Sequence, residues 1–222
     1  MTLYLSRLQL SQSPSVRALD ALLNPEAQGP RLDAHHRLIW AAFAKTPDQK
    51  RDFLWREDGK GCFFALSACP PVANDLFETD VKAFAPDLHP GDRLEFTLRA
   101  NATRDRKGKG RVDVVMDVLH DVPKTDRAEQ RMGIAQHEGA AWLARQGETA
   151  GFHTLRVEVG DYSVAALPDY KGKRQGQPQF GILDLAGVLE VTDPAAFLTK
   201  LARGFGRARS FGCGLMLIRR AG

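Results

Sequence analysis

From Leu3 to Leu10 apolar and polar side chains alternate, with Leu3, Leu5, Leu8 and Leu10 mostly on strand spacing, so the pattern predicts a first strand. Ser13-Pro14-Ser15 then offers a helix start, and Val16, Leu19, Leu22 and Leu23 keep helical spacing up to Asn24-Pro25. A second helix is predicted with Asp33 as its N-cap, His36, Ile39, Trp40 and Phe43 at i, i+3, i+4 and i+7, and Thr46-Pro47 as its end. Phe53-Leu54-Trp55 and Cys62-Phe63-Phe64-Ala65-Leu66, separated by Asp58-Gly59-Lys60-Gly61, read as a β-hairpin. After one further extended segment, Leu94, Phe96, Leu98 and Ala100 alternate with Glu95, Thr97 and Arg99 as another strand.

The second half repeats the order without repeating the sequence. An alternating segment runs from Arg111 to Val118, a helix from about Asp126 to Gln146, and strands cover Phe152 to Val159, Tyr162 to Leu167 and Phe180 to Val191. Pro194 to Arg203 then places Phe197, Leu198 and Leu201 at helical spacing before a final apolar strand. Strand, helix, strand, strand, helix, strand is the ferredoxin-like order, shared with RNA-recognition motifs. The expected fold class is therefore α+β, with two tandem ferredoxin-like βαββαβ domains at residues 1–104 and 111–222. The charged run Arg104-Asp105-Arg106-Lys107-Gly108-Lys109-Gly110-Arg111 supplies the expected basic linker, 105–110, either a solvated tether or an RNA contact.

Composition narrows this only a little. With 222 residues, of which 43% are hydrophobic, the chain can bury one large core or two smaller ones. Lys+Arg exceed Asp+Glu by 31 to 27, a mild excess that matters for an anionic partner only if clustered. Cys62, Cys69 and Cys213 form no CxxC pair and fit a reducing cytoplasm, with Cys62 and Cys69 expected to pack as small hydrophobes. No window has the uncharged apolar length of a membrane span, and Met1 to Ser6 enters the alternating pattern with no charged leader, so neither membrane nor export signal is expected.

Candidate chemistry gathers at two places. Gly204-Phe205-Gly206-Arg207-Ala208-Arg209-Ser210-Phe211-Gly212-Cys213-Gly214 joins the last helix to the last strand. Glycine permits positive φ, and N–H groups flanked by Arg207, Arg209 and Ser210 can cradle phosphate. A helix cap followed by a tight turn would use the same glycines. The stretch has neither the Gly-Lys-Ser/Thr end of a P-loop nor the third glycine of a dinucleotide fingerprint, and it precedes a strand, so neither nucleotide fold is expected.

The other place is His36, whose imidazole can exchange a proton with an RNA hydroxyl near neutral pH without a metal. A half-buried packing role beside Trp40 is the alternative. His35 lies about 100° round the helix and is the poorer candidate. His89, His120, His137 and His153 are scattered without ligand spacing, so no metal site and no cofactor are assigned. The missing paired carboxylates argue against a two-metal nuclease.

His36-Arg37-Leu38-Ile39-Trp40 with Phe43, then Arg51-Asp52-Phe53-Leu54, and the late Gly-x-Gly-x-Ala-Arg-Ser-x-Gly-Cys-Gly-Leu stretch together resemble the CRISPR RNA-processing endoribonucleases of the repeat-associated mysterious protein superfamily, type I-E branch. The resemblance implies that His36 is catalytic and that a CRISPR repeat stem-loop RNA is cut by attack of its own 2′-hydroxyl. The product ends would be a 2′,3′-cyclic phosphate and a 5′-hydroxyl, and the protein would stay on its product among other Cascade subunits. Arg37, Arg207 and Arg209 are candidates for the cation that steadies the phosphorus centre. A basic hairpin implied at Lys171, Lys173 and Arg174, with Gly204, Gly206, Ser210, Gly212 and Gly214 of the late loop, would hold the RNA. Some members carry Tyr where this chain has Asp33, which would cap the helix or fix the tautomer of His36 instead. That departure keeps a second reading open, a non-catalytic RNA-hairpin-binding subunit of the same kind of complex.

Overall fold

The computed structural model describes residues 2–44, 46, 49, 51–108, 110–167 and 179–222. The chain divides into two compact units, the first comprising Met1–Pro86, Ala165–Gln179 and Arg209–Gly212, the second Asp87–Val164, Phe180–Ala208 and Cys213–Gly222.

In the first unit β1 (Leu3–Leu10) is followed by two short helices, α1 (Pro14–Ala18) and α2 (Asp20–Leu23), and by α3 (Gln28–Phe43). The strands β2 (Phe53–Gly59), β3 (Cys62–Ser67) and β4 (Phe77–Phe84) complete a sheet ordered β2-β3-β1-β4, in which β1 is antiparallel to both of its neighbours. That is the ferredoxin-like order with an irregular connection in place of the second helix. At the β2–β3 turn Gly59, Lys60 and Gly61 all have positive φ, the left-handed conformation that a Gly-rich turn exists to supply. The core lies between α3 and the sheet: Leu38, Ile39, Ala42 and Phe43 meet Leu8, Phe53, Trp55, Phe63 and Phe77. Burying a side chain such as Leu8 contributes roughly 1.5–3 kcal/mol.

The second unit starts with β5 (Arg93–Ala100), then carries a ribbon of β6 (Thr103–Arg106) and β7 (Gly110–Asp113), α4 (Val114–Leu119), α5 (Arg127–Ala150), β8 (Phe152–Ala166), β9 (Gln179–Val191), α6 (Pro194–Arg203) and β10 (Met216–Arg220). Its sheet is ordered β10-β5-β9-β8, so β5-α5-β8-β9-α6-β10 is a complete ferredoxin-like unit. Phe152 packs edge-on against Phe197 and Phe205, and Leu94, Leu98, Leu183 and Leu189 are fully buried beneath α5 and α6 residues such as Leu143 and Leu201.

Two halves of ferredoxin-like form are thus present, but their boundary differs from the expected one. Arg93–Ala100, expected in the first domain, pairs with β9 and β10 of the second, and the first unit's fourth strand is Phe77–Phe84. The expected linker is a β-ribbon within the second unit. Its arginines are held by carboxylates: Arg104 reaches Asp117 and Glu138, Arg106 reaches Asp117, and Arg111 reaches Asp105. The segment after it turns helical because the Asp113 side chain accepts from the backbone N–H groups of Val115 and Met116, a strong N-cap. Cys69 is exposed rather than packed, while Cys213 is buried.

Candidate active site

The site belongs to the first unit and is built from α3, the approach to β2 and the 3-10 turn Arg209–Phe211. Helix α3 begins at Gln28, five residues before the expected cap, with Ala27 at the N-cap. Pro30 falls in its first turn, where a missing N–H costs nothing and the fixed φ suits a helix. Asp33 is therefore an interior helical residue, and its carboxylate lies 2.9 Å from Arg37, one turn on. It neither caps the helix nor bonds the His36 ring. Arg37 is 72% exposed and Asp33 39%, so this is a surface pair of i,i+4 type. Replacing either by alanine is expected to change unfolding stability by no more than about 0.5 kcal/mol, checked by chemical denaturation.

The two histidines have different surroundings. His35 is fully buried, edge-on to Phe63 at 4.8 Å, with Nδ1 3.5 Å from Glu57. His36 is half-buried at the margin of the helix, its ring 5.6 Å from Phe211 and 6.3 Å from Trp40. Burial pushes its pKa below the ordinary value, a backbone hydrogen bond with Ser210 opposes this, and the cation of Arg51 adds to the lowering. Asp33 and Arg37 make smaller, opposing contributions. The imidazole is thus biased to the neutral form at pH 7, and among the described residues its buried Nδ1 has no hydrogen-bond partner.

Arg51 sits beside this ring. Its Nη1 donates to Ser210 Oγ at 2.8 Å, and burial together with the nearby Arg209 lowers its pKa. Gly212 has φ +75°, and a Cβ there would stand 3.1 Å from the indole of the buried Trp55, so the turn carrying Ser210 and Phe211 lies tightly on β2.

The expected residues therefore separate. His36, Asp33, Arg37, Arg209, Ser210 and Gly212 are in the first unit, whereas Gly204, Gly206, Arg207 and Gly214 are in the second. There the N–H groups of Gly204, Phe205, Arg207 and Gly214 donate to the carbonyls of Lys200, Gly214, Asn101 and Arg99. These four peptide groups are not the open phosphate cradle expected of the glycine pattern. Lys171, Lys173 and Arg174 lie outside the described residues. Arg51 and Phe211 were not singled out by sequence as site residues; Arg51 stood only within the quoted Arg-Asp-Phe-Leu motif.

Known proteins resemble this chain over most of its length. The endoribonuclease Cse3 of Thermus thermophilus is 29% identical over 229 residues, covering 89% of this chain and 96% of the relative. The Cascade subunit CasE of Escherichia coli is 28% identical over 189 residues, covering 82% and 88%. A structure of Thermus thermophilus Cse3 bound to an RNA representing a pre-cleavage complex superposes with a TM-score of 0.68 at 25% identity, covering 99% of this chain and all of the other. The family model described as CRISPR associated protein matches residues 3–220, and the chain belongs to that family.

Proposed function

We propose that this protein is a metal-independent endoribonuclease that cuts CRISPR repeat hairpins in precursor transcripts and remains on its product as a subunit of a Cascade-type complex. The observation that carries this reading is a half-buried imidazole, biased to the neutral form, held beside two arginines and an aromatic ring by a turn from the far end of the chain. Neutral His36 takes the proton of the 2′-hydroxyl; that oxygen attacks the adjacent phosphorus, the bond to the 5′-oxygen breaks, and the leaving oxygen takes a proton from the imidazolium so formed or from water. The products are a 2′,3′-cyclic phosphate and a 5′-hydroxyl. Charge gathers on the phosphoryl oxygens during attack, where a fixed guanidinium lowers the barrier.

The stem of the hairpin is held through phosphates and A-form shape by Lys171, Lys173 and Arg174, together with Arg207, Arg209 and Ser210. Glycines 204, 206, 212 and 214 shape the loop that carries Arg207, Arg209 and Ser210. The similarity to the RNA-bound Thermus protein and to the Cascade subunit supports the choice of substrate and assembly.

Repeat RNA incubated with the protein in EDTA decides between this reading and the RNA-binding subunit. Cutting by the wild type supports the enzyme; bound but uncut RNA supports the subunit. Because the His36 pKa is lowered, a His acting as base loses activity only as pH falls through that lowered value. The acidic limb of kcat/KM is expected below about 6.5, the ordinary histidine value, and a limb above it would contradict this placement of the ring.

A further inference from the structure

Several half-buried arginines are matched by carboxylates, while Arg127 and Arg131 donate to backbone carbonyls. Arg99 grips Asp184 with paired bonds of 2.9 and 3.0 Å, and Arg104 reaches Asp117 and Glu138 at 2.7 and 2.8 Å. Arg51 belongs to neither set. Among the described residues its side chain bonds only the neutral Ser210 Oγ, and its charged neighbour is another cation, Arg209. Partly desolvating a guanidinium without a counter-charge is unfavourable, and placing a second one near it makes it more so. An arrangement of this kind is stabilised when an anion arrives. Guanidinium is also planar and many-donored, suited to two phosphate oxygens at once, and one nitrogen of Arg51 is already fixed by Ser210.

We propose that Arg51, anchored on Ser210 beside His36, is the cation that receives the phosphate of the reacting linkage, forming with the imidazole an anion seat in the first unit. Of the candidates suggested by sequence, Arg37, Arg207 and Arg209, the last lies beside Arg51 in the same unit, and Arg37 is less well placed. Arg37 is turned to solvent against Asp33. The inference rests on the endoribonuclease reading for its substrate, though the seat itself does not depend on cutting.

Two variants and two readouts test it. Arg51→Met is expected to slow single-turnover cleavage about 10²-fold, the usual loss on removing one donor to a developing oxyanion. Its affinity for RNA bearing a 2′-deoxyribose at the mapped cleavage nucleotide is expected to fall much less. Arg51→Lys, which keeps the charge but not the planar pair of donors, is expected to recover only part of the rate. The second readout needs no activity: inorganic sulfate added to the free protein should shift the His36 ring resonance in wild type and not in Arg51→Met. In addition, the His36 titration should move to higher pH in Arg51→Met, since Asp33, Arg37 and Ser210 remain and one cation is gone. A Met variant that cuts at the wild-type rate, or one whose His36 resonance still shifts with sulfate, would overturn the proposal. Should wild type not cut at all, the endoribonuclease reading fails and the sulfate titration alone decides the seat: a shift dependent on Arg51 upholds it, and none overturns it.

Discussion

Alanine in place of His36 is expected to slow cleavage of repeat RNA by about 10²–10⁴-fold in single-turnover measurements, the range typical of a lost general acid or base. Binding of the uncut RNA should survive, because the phosphate-gripping cations are other residues. The ring is half-buried against Phe211 and Trp40, so removing it also loosens the packing of the turn at Arg209–Phe211. His36→Gln, which fills more of that space, separates the two effects: a rate as low as that of the alanine variant assigns the loss to proton transfer. Substituting His35 gives the contrasting result. That residue is sealed beneath Phe63 and next to Glu57, and its loss should appear as instability with catalysis impaired only through folding.

The second large effect is expected at Gly206. It has φ +68°, and a Cβ there would lie 2.5 Å from the carbonyl oxygen of Asn101, which already accepts from the Arg207 N–H. An alanine must adopt the left-handed conformation, at about 1–2 kcal/mol. It must also displace backbone, at about 1–3 kcal/mol. Gly206→Ala is therefore expected to destabilise the protein by about 2–5 kcal/mol, a drop of several degrees or more in Tm by calorimetry. Were this glycine present only to let an RNA phosphate approach, the variant would keep its Tm and lose RNA affinity alone.

These two residues illustrate what could be read in advance. Elements with clean periodicity and local punctuation were legible almost to the residue. Leu3–Leu10 alternates, and Pro194–Arg203 follows Asp193, whose side chain accepts from Ala195 and Ala196. β4 was not legible as the fourth strand, because from Glu78 to Ala83 its side chains are exposed on both faces and give no alternation. Without it the next clean strand, Arg93–Ala100, was assigned to the wrong half. Helix α3 begins earlier than expected because Pro30 lies in its first turn, where proline is tolerated, and that start makes Asp33 part of a surface ion pair instead of a cap.

In the candidate site, His36 and Arg209 were visible as residue types and through their family resemblance. Arg51 was not, since its significance comes from Ser210, 159 residues away, and from a carboxylate partner that the described residues do not supply. The glycine-rich stretch showed the complementary error. Its pattern suggested open N–H groups, but bonds to Lys200, Asn101 and Arg99 close them, a fact of tertiary pairing that local spacing does not encode.

The most direct test of the account is the chemistry of the cut ends. Repeat RNA digested in EDTA, alongside a copy carrying a single 2′-deoxyribose at the cleavage nucleotide, would be examined by mass spectrometry. Attack by the neighbouring hydroxyl predicts a 2′,3′-cyclic phosphate on one fragment, a 5′-hydroxyl on the other, and an intact deoxy substrate. A 5′-phosphate on the downstream fragment, or cutting of the deoxy RNA, would contradict it.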